Sequence, residues 1–182
     1  MDINLNDIHV IAGMRGYGKT TLAKKILSII AGQSNQYIIL DNNDEYREFD
    51  NRIVPQPGQN RKKLAIELGK QIWNTGNLFI VVDEAEKYLP VFPVLLPPYW
   101  DNIIEQGRHR NLGGIFITRR IANLNKTVIS QAAKVFLFRH FEKNDIQYLR
   151  EFLDDVAYSL QRLKEFQYFM YDGKGKVKHC IL

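Results

Sequence analysis

Residues 13–21, GMRGYGKTT, decide the fold. They read Gly13, four residues, then Gly18-Lys19-Thr20, the phosphate-loop pattern GxxxxGK[ST]. Each residue type has a job there: glycines let successive backbone N–H groups curl round a phosphate, a lysine adds a point charge, and a hydroxyl ligates Mg²⁺. The apolar run Ile8–Ala12 leads in as a strand. Leu22, Ile26 and Ile29 follow at helical spacing and lead out as a helix over 19–30. The loop therefore belongs at a helix N-terminus, where free amides and the macrodipole favour an anion. A nucleotide phosphate is implied; its use is not.

Outward from the loop, short β-rich apolar runs alternate with longer helical patterns, the signature of a mostly parallel sheet covered on both faces. The strands predicted are 8–12, 37–40, 78–82, 114–118 and 135–138, each nearly continuous in apolar residues, as buried parallel strands are. Helices are expected over 19–30, 61–73, 99–106, 126–133 and 144–153, and a C-terminal β-hairpin pairs 166–171 with 177–182 around Asp172-Gly173-Lys174-Gly175. Two stretches read as irregular: 51–60, with Pro55, Pro57 and Gly58, and LPVFPVLLPPYW over 89–100. The latter carries large apolar side chains in an irregular connection, and is either a subunit contact, a pore loop or a segment packed on its own core.

The run NLFIVVDEAEKYL supplies what the loop lacks. Phe79 to Val82 form a buried strand, and Asp83-Glu84 stand at its end, where ligands of open α/β sheets collect. Asp83 is expected to hold Mg²⁺ together with Thr20. Glu84, the next carboxylate, is placed to polarise water against the γ-phosphate, so the pair favours hydrolysis over transfer to a metabolite. That makes ATP and Mg²⁺ the expected cofactors and a metabolite kinase the weaker reading. In EQGRHRNLGGIFITRR, Arg108, His109 and Arg110 precede a strand that ends at Thr118-Arg119-Arg120, and the arginines are expected at one edge of the sheet. A guanidinium there stabilises transition-state phosphate charge, often across a subunit boundary, and Arg108 is the first candidate.

Five segments, GMRGYGKTT, LDNNDEY, FIVVDEAEKYL, GRHRNLGGIFITRR and VISQAAKVFLFR, resemble in order the motifs of the HerA/FtsK superfamily, and most of all its compact viral genome-packaging ATPases. The resemblance covers about residues 7–150. It implies a RecA-like (ASCE) α/β P-loop fold, with the P-loop strand between later strands. It also implies an ATP-driven ring, usually a hexamer, that drives double-stranded DNA through a central pore. On that resemblance the nucleotide contacts are Gly13, Arg15, Gly16, Tyr17, Gly18, Lys19, Thr20, Thr21 and Asp41. Thr20 and Asp83 serve Mg²⁺, Glu84 serves water, and Arg108 is the finger reaching the next subunit's ATP. Where the family commonly has a glutamine sensing the γ-phosphate, this chain has Arg119. Either Thr118 carries that contact or Arg119 has taken it over as a second finger.

The 182 residues suit one domain over 1–182. Net charge is +5, and all the excess lies in the second half: residues 1–100 carry eleven Lys/Arg and eleven Asp/Glu, residues 101–182 fourteen and nine. A basic half fits an anionic partner or simply a solvated surface. The loop RRIANLNK (119–126) and the hairpin DGKGKVKH (172–179) are candidate contacts to a phosphate backbone, although hairpin lysines are also what a solvated turn carries. Cys180 has no partner for an internal disulfide, and the four histidines lack metal-ligand spacing. No apolar stretch approaches the roughly 18 residues of a membrane span and no signal segment is evident, so the expected location is a cytoplasm, that of a host for a viral protein, or the virion. A packaging motor this small would take its specificity from a capsid, portal or membrane partner. The competing readings are a HerA-like or conjugative DNA pump and an ATP-dependent switch for virion assembly or extrusion without a DNA track.

Overall fold

The computed structural model describes residues 3–33, 36–91 and 95–182. Its frame is an eight-stranded sheet in the order β3-β2-β4-β5-β1-β6-β7-β8. The strands are β1 (Ile8–Ala12), β2 (Tyr37–Leu40), β3 (Arg52–Ile53), β4 (Leu78–Val82), β5 (Leu112–Thr118), β6 (Ala132–Leu137), β7 (Gln167–Tyr171) and β8 (Val177–Ile181). β1 to β6 are mutually parallel, and β7 and β8 add an antiparallel hairpin beside β6. The P-loop strand β1 lies between the later strands β5 and β6, as the resemblance implied.

Successive side chains on a strand point to opposite faces, so the continuous apolar runs feed two separate cores. Val10, Ile80, Val82 and Phe116 face one way. Ile11, Phe79, Val81, Ile115 and Ile117 face the other. Helix α1 (Lys19–Gln33) covers the second face with Leu22, Ala23, Ile26, Leu27 and Ile30. The helical stripe thus ends at Ile30 rather than Ile29, which is 46% exposed. The first face is covered by α2 (Arg61–Thr75), α3 (Trp100–Gln106), α4 (Lys126–Ser130) and α5 (Lys143–Leu153), with the short α6 (Val156–Ser159) behind α5. α2 starts where the Asn60 side chain accepts from the Lys63 N–H at 3.0 Å, and α4 where Asn125 does the same for Thr127.

Two expectations change, and an open alternative is decided. The 51–60 stretch contains β3, two residues that pair with Ile39 and Leu40 and extend the sheet edge. α4 stops at Ser130, not residue 133, because Ala132 already opens β6. In the 89–100 stretch Trp100 packs on the chain's own core: it is fully buried, its Nε1 donates to the Ala65 carbonyl at 2.8 Å, and its ring meets Phe116 edge-on at 6.1 Å. Residues 92–94 of that stretch lie outside the described residues, and Leu95 beside them is 84% exposed. No helix among the described residues is long and apolar enough to cross a membrane.

Candidate functional site

The loop after β1 is stitched to the ends of both neighbouring strands. The Gly13 N–H donates to the Thr118 carbonyl (3.2 Å) and the Met14 N–H to that of Arg139 (2.9 Å). Gly13 has φ +140°, and a β-carbon there would lie 2.7 Å from that of Phe138; no other residue takes this turn without moving β6. Lys19 bends back over the loop, its Nζ donating to the Met14 carbonyl at 2.8 Å. Burial lowers its pKa to about 8 against the opposing pull of Asp83. The Thr20 hydroxyl donates to Glu45 at 2.9 Å. Tyr17 is turned away from the loop's hollow, its hydroxyl accepting from Arg139 at 2.8 Å.

Opposite the loop, across β5, β4 delivers Asp83 and Glu84, both buried. Asp83 accepts from Asn43 at 3.0 Å. Its burial, and the carboxylate of Glu84 beside it, push its pKa up to about 6. Glu84 sits at φ +50°, a left-handed conformation that non-glycine residues keep mainly where the surroundings impose it. Its carboxylate pairs with Arg119 and Lys87 and accepts from Asn42. Tyr88 in turn donates to Asn42 at 2.9 Å and fixes that amide. Thr118 closes β5 between the two halves of the site and is fully buried.

These groups line a single cleft of about 300 Å³ at the C-terminal edge of the sheet. Arg15, Gly16, Gly18, Lys19, Thr20 and Thr21 come from the loop side; Asp83, Glu84, Thr118 and Arg119 come from the strands opposite. Asn43, Glu45 and Phe166 complete it. Gly13 and Tyr17 support the loop from behind and are not part of the lining. Thr20 and Asp83 offer the hard oxygen donors that suit Mg²⁺, and the raised Asp83 pKa marks a carboxylate cluster that a divalent cation would relieve.

Two further expected members are placed elsewhere. Asp41 is fully buried, and its oxygens accept from the Glu45 and Tyr46 N–H groups (2.9 and 3.0 Å) and from Arg52 (2.9 Å). Engaged by its own loop and by Arg52, it holds the 41–46 segment that carries Asn43 and Glu45 to the cleft and Asn42 to Glu84. Arg108 precedes β5 whereas Arg119 and Arg120 follow it. The expectation of one arginine edge is therefore corrected: a seven-residue strand, roughly 20 Å at 3.3 Å per residue, separates them. Arg108 is 72% exposed, 3.9 Å from Asp7 at the far edge of the sheet. Arg120 is held by the buried Asp145 at 2.7 Å, so the 119–126 loop begins anchored rather than free.

Sequence reasoning passed over Asn42, Asn43, Lys87 and Phe166. The asparagines had a usable signal, polar residues directly after a buried parallel strand. Phe166 had none, since only the fold brings it to a loop some 150 residues earlier.

A family model described as an AAA domain matches residues 5–177. Among solved structures, the genome packaging NTPase B204 from Sulfolobus turreted icosahedral virus 2, in complex with sulfate, is similar with a TM-score of 0.82 and 24% identity, over 97% of this chain and 96% of that one. The pCW3 conjugation coupling protein TcpA is similar with a TM-score of 0.65 and 13% identity, over 98% of this chain and 61% of that one. The N-terminal domain of zonular occludens toxin from Neisseria meningitidis gives 0.58 and 12%, over 97% and 93%. At these identities the likeness is one of fold. No curated protein sequence matches the chain.

Proposed function

The chain belongs to the AAA domain family, and from that premise we propose that it is an ATP-hydrolysing motor that translocates double-stranded DNA, packaging a viral genome. The observation that carries the hydrolytic part is the pairing of Asp83 and Glu84 on β4, facing Lys19 and Thr20 across the single strand β5 in one cleft. In this reading the loop amides and Lys19 hold the β- and γ-phosphates, and Thr20 and Asp83 hold Mg²⁺. Held there, Mg²⁺ would offset the negative charge on the phosphates. Glu84 orients the attacking water. Its carboxylate pairs with Arg119 and Lys87; a γ-phosphate in the cleft would compete for Arg119 and free the carboxylate. Arg119 then takes the place of the glutamine found in similar motors, with Thr118 beside it.

The DNA track is supported by the HerA/FtsK resemblance, by the fold shared with a DNA-packaging ATPase from Sulfolobus turreted icosahedral virus, and by the basic second half of the chain. A homo-oligomeric ring, a hexamer by the resemblance, would put the exposed Arg108 at the edge facing a neighbour's nucleotide. A capsid, portal or membrane protein would supply genome specificity, in the host cytoplasm or at the virion. A conjugative DNA pump is the second reading, favoured by the fold shared with a conjugation coupling protein.

The test is ATP hydrolysis with and without double-stranded DNA over a range of salt concentrations, with Glu84→Gln as the blank. A DNA-dependent rise that is lost in Glu84→Gln and fades at high salt is expected, because backbone contacts release counterions. Hydrolysis indifferent to DNA would favour the switch without a track.

A further inference from the structure

One wall of the cleft belongs to neither half of the phosphate machinery. Phe166, the residue just before β7, lines the cleft together with Gly16, Gly18 and Thr21. It is apolar, large and 43% exposed. It is also held in place against its own preference. Its φ is +63°, the left-handed region that a bulky residue rarely adopts, and three hydrogen bonds keep that turn where it is. The Phe166 N–H donates to the Tyr17 carbonyl (3.1 Å), the Leu182 N–H donates to the Phe166 carbonyl (2.9 Å), and the Gln167 N–H donates to the Lys164 carbonyl (3.2 Å). The ring abuts the phosphate loop itself: a β-carbon at Gly18, which has φ +104°, would lie 2.9 Å from Phe166 Cδ1 and 3.0 Å from Leu182 Cδ1.

An exposed aromatic ring fixed in a strained turn beside a phosphate loop, on the lining of the same cleft, offers a flat apolar face to a ligand held there. We propose that Phe166 is the stacking platform for the nucleobase, so that the C-terminal hairpin, through β7 and the terminal Leu182, builds the base subsite of the nucleotide cleft. This rests on the nucleotide-site reading above and extends it to the part of the substrate that the loop motif leaves unspecified. The chemistry also sets the selectivity. Asn43, Glu45, Asp83, Glu84 and Arg119 of the lining are engaged with one another or with Thr20 and Lys87, and what Phe166 itself offers is recognition of a π-face rather than of a base edge. Every base has such a face. ATP and GTP are accepted with little discrimination.

The experiment is calorimetric titration of the full chain with Mg-ATP, Mg-GTP and Mg-tripolyphosphate, for wild type, Phe166→Ala and Phe166→Tyr. Tripolyphosphate carries the phosphates without a base. Phe166→Ala is expected to weaken ATP and GTP alike, by about tenfold or more on the scale of base–aromatic stacking, to leave tripolyphosphate unchanged, and to be rescued by Phe166→Tyr. A second readout does not depend on the alanine variant: in Phe166→Trp, Mg-ATP should quench emission beyond the wild-type response and Mg-tripolyphosphate should not. Equal losses for all three ligands, or no loss for any, would overturn the stacking role while leaving the phosphate site standing. Failure of the wild type to bind any of the three would overturn the nucleotide-site reading and this inference with it.

Discussion

Glu84 shows what residue chemistry carries and what it omits. Its position after Asp83 at a strand end was legible in the sequence, because a buried parallel strand must deliver its next residues to the sheet's C-terminal edge. Its partners were not all legible, since Lys87 is local but Asn42 and Arg119 come from the ends of two other strands. The account gives Arg119 two sites in turn, Glu84 and the γ-phosphate. Replacing it with alanine removes a guanidinium from the transition state and should lower kcat about a hundredfold while leaving Mg-ATP affinity within a few-fold; Arg119→Lys should recover part of the rate. Steady-state kinetics with a parallel binding titration separates the two. A rise in kcat for Arg119→Ala would mean that the ion pair only restrains Glu84 and has no part in the chemistry.

Among the elements, the buried strands were read to the residue at 8–12, 37–40 and 78–82, because an apolar run flanked by turn residues leaves little freedom. β3 escaped notice: two residues carry no periodicity, and it is defined by its partner, Arg52 and Ile53 pairing with β2. The same strand explains why Asp41 is not in the cleft. Arg52 enters from β3 and ties Asp41 and Asp44 together (2.9 and 2.7 Å), closing the loop that presents Asn42, Asn43 and Glu45. Asp41→Ala leaves Arg52 with Asp44 alone and takes the acceptor from the Glu45 and Tyr46 N–H groups, the latter buried. Breaking such a network costs about 3 kcal/mol, and chemical denaturation should show it as a lower midpoint at an unchanged slope. The nucleotide affinity contributed by the 13–21 loop should survive, which distinguishes a residue that holds the loop from one that contacts the ligand. The hairpin was legible as a hairpin, with Asp172 accepting from the N–H groups of Lys174 and Lys176 at 2.8 and 3.0 Å. Its contribution of Phe166 to the cleft was not, because that depends on β7 joining β6.

Across the whole molecule, burial of ionisable groups predicts a direction for acid stability. His9, in the middle of β1, and His140, after β6, are both 1% exposed, and burial lowers each pKa to about 4. A histidine whose folded pKa lies below its unfolded value takes up a proton first when unfolded, so stability falls as pH drops from 6.5 towards 4. At 1.36 kcal/mol per unit each histidine contributes on the order of 3 kcal/mol to that loss. Asp83, with its pKa raised to about 6, works the other way: its buried charge costs stability above pH 6, and protonation on acidification restores it. Two groups outweigh one, and the unfolding midpoint should fall between pH 6.5 and 4. His9→Leu should remove most of that fall, because His140 and Asp83 then nearly cancel, and an unchanged slope would remove His9 from the account. Neither effect was visible in the sequence, where a histidine in an apolar run has no stated depth.

The central claim is that hydrolysis at Glu84 moves the protein along DNA, and it is met most directly by displacement of a triplex-forming strand from double-stranded DNA. Wild type with Mg-ATP should release the third strand at a rate that follows hydrolysis, and Glu84→Gln should bind ATP and DNA yet release none. Release by the variant at the wild-type rate, or wild-type hydrolysis stimulated by DNA with no release, would contradict it.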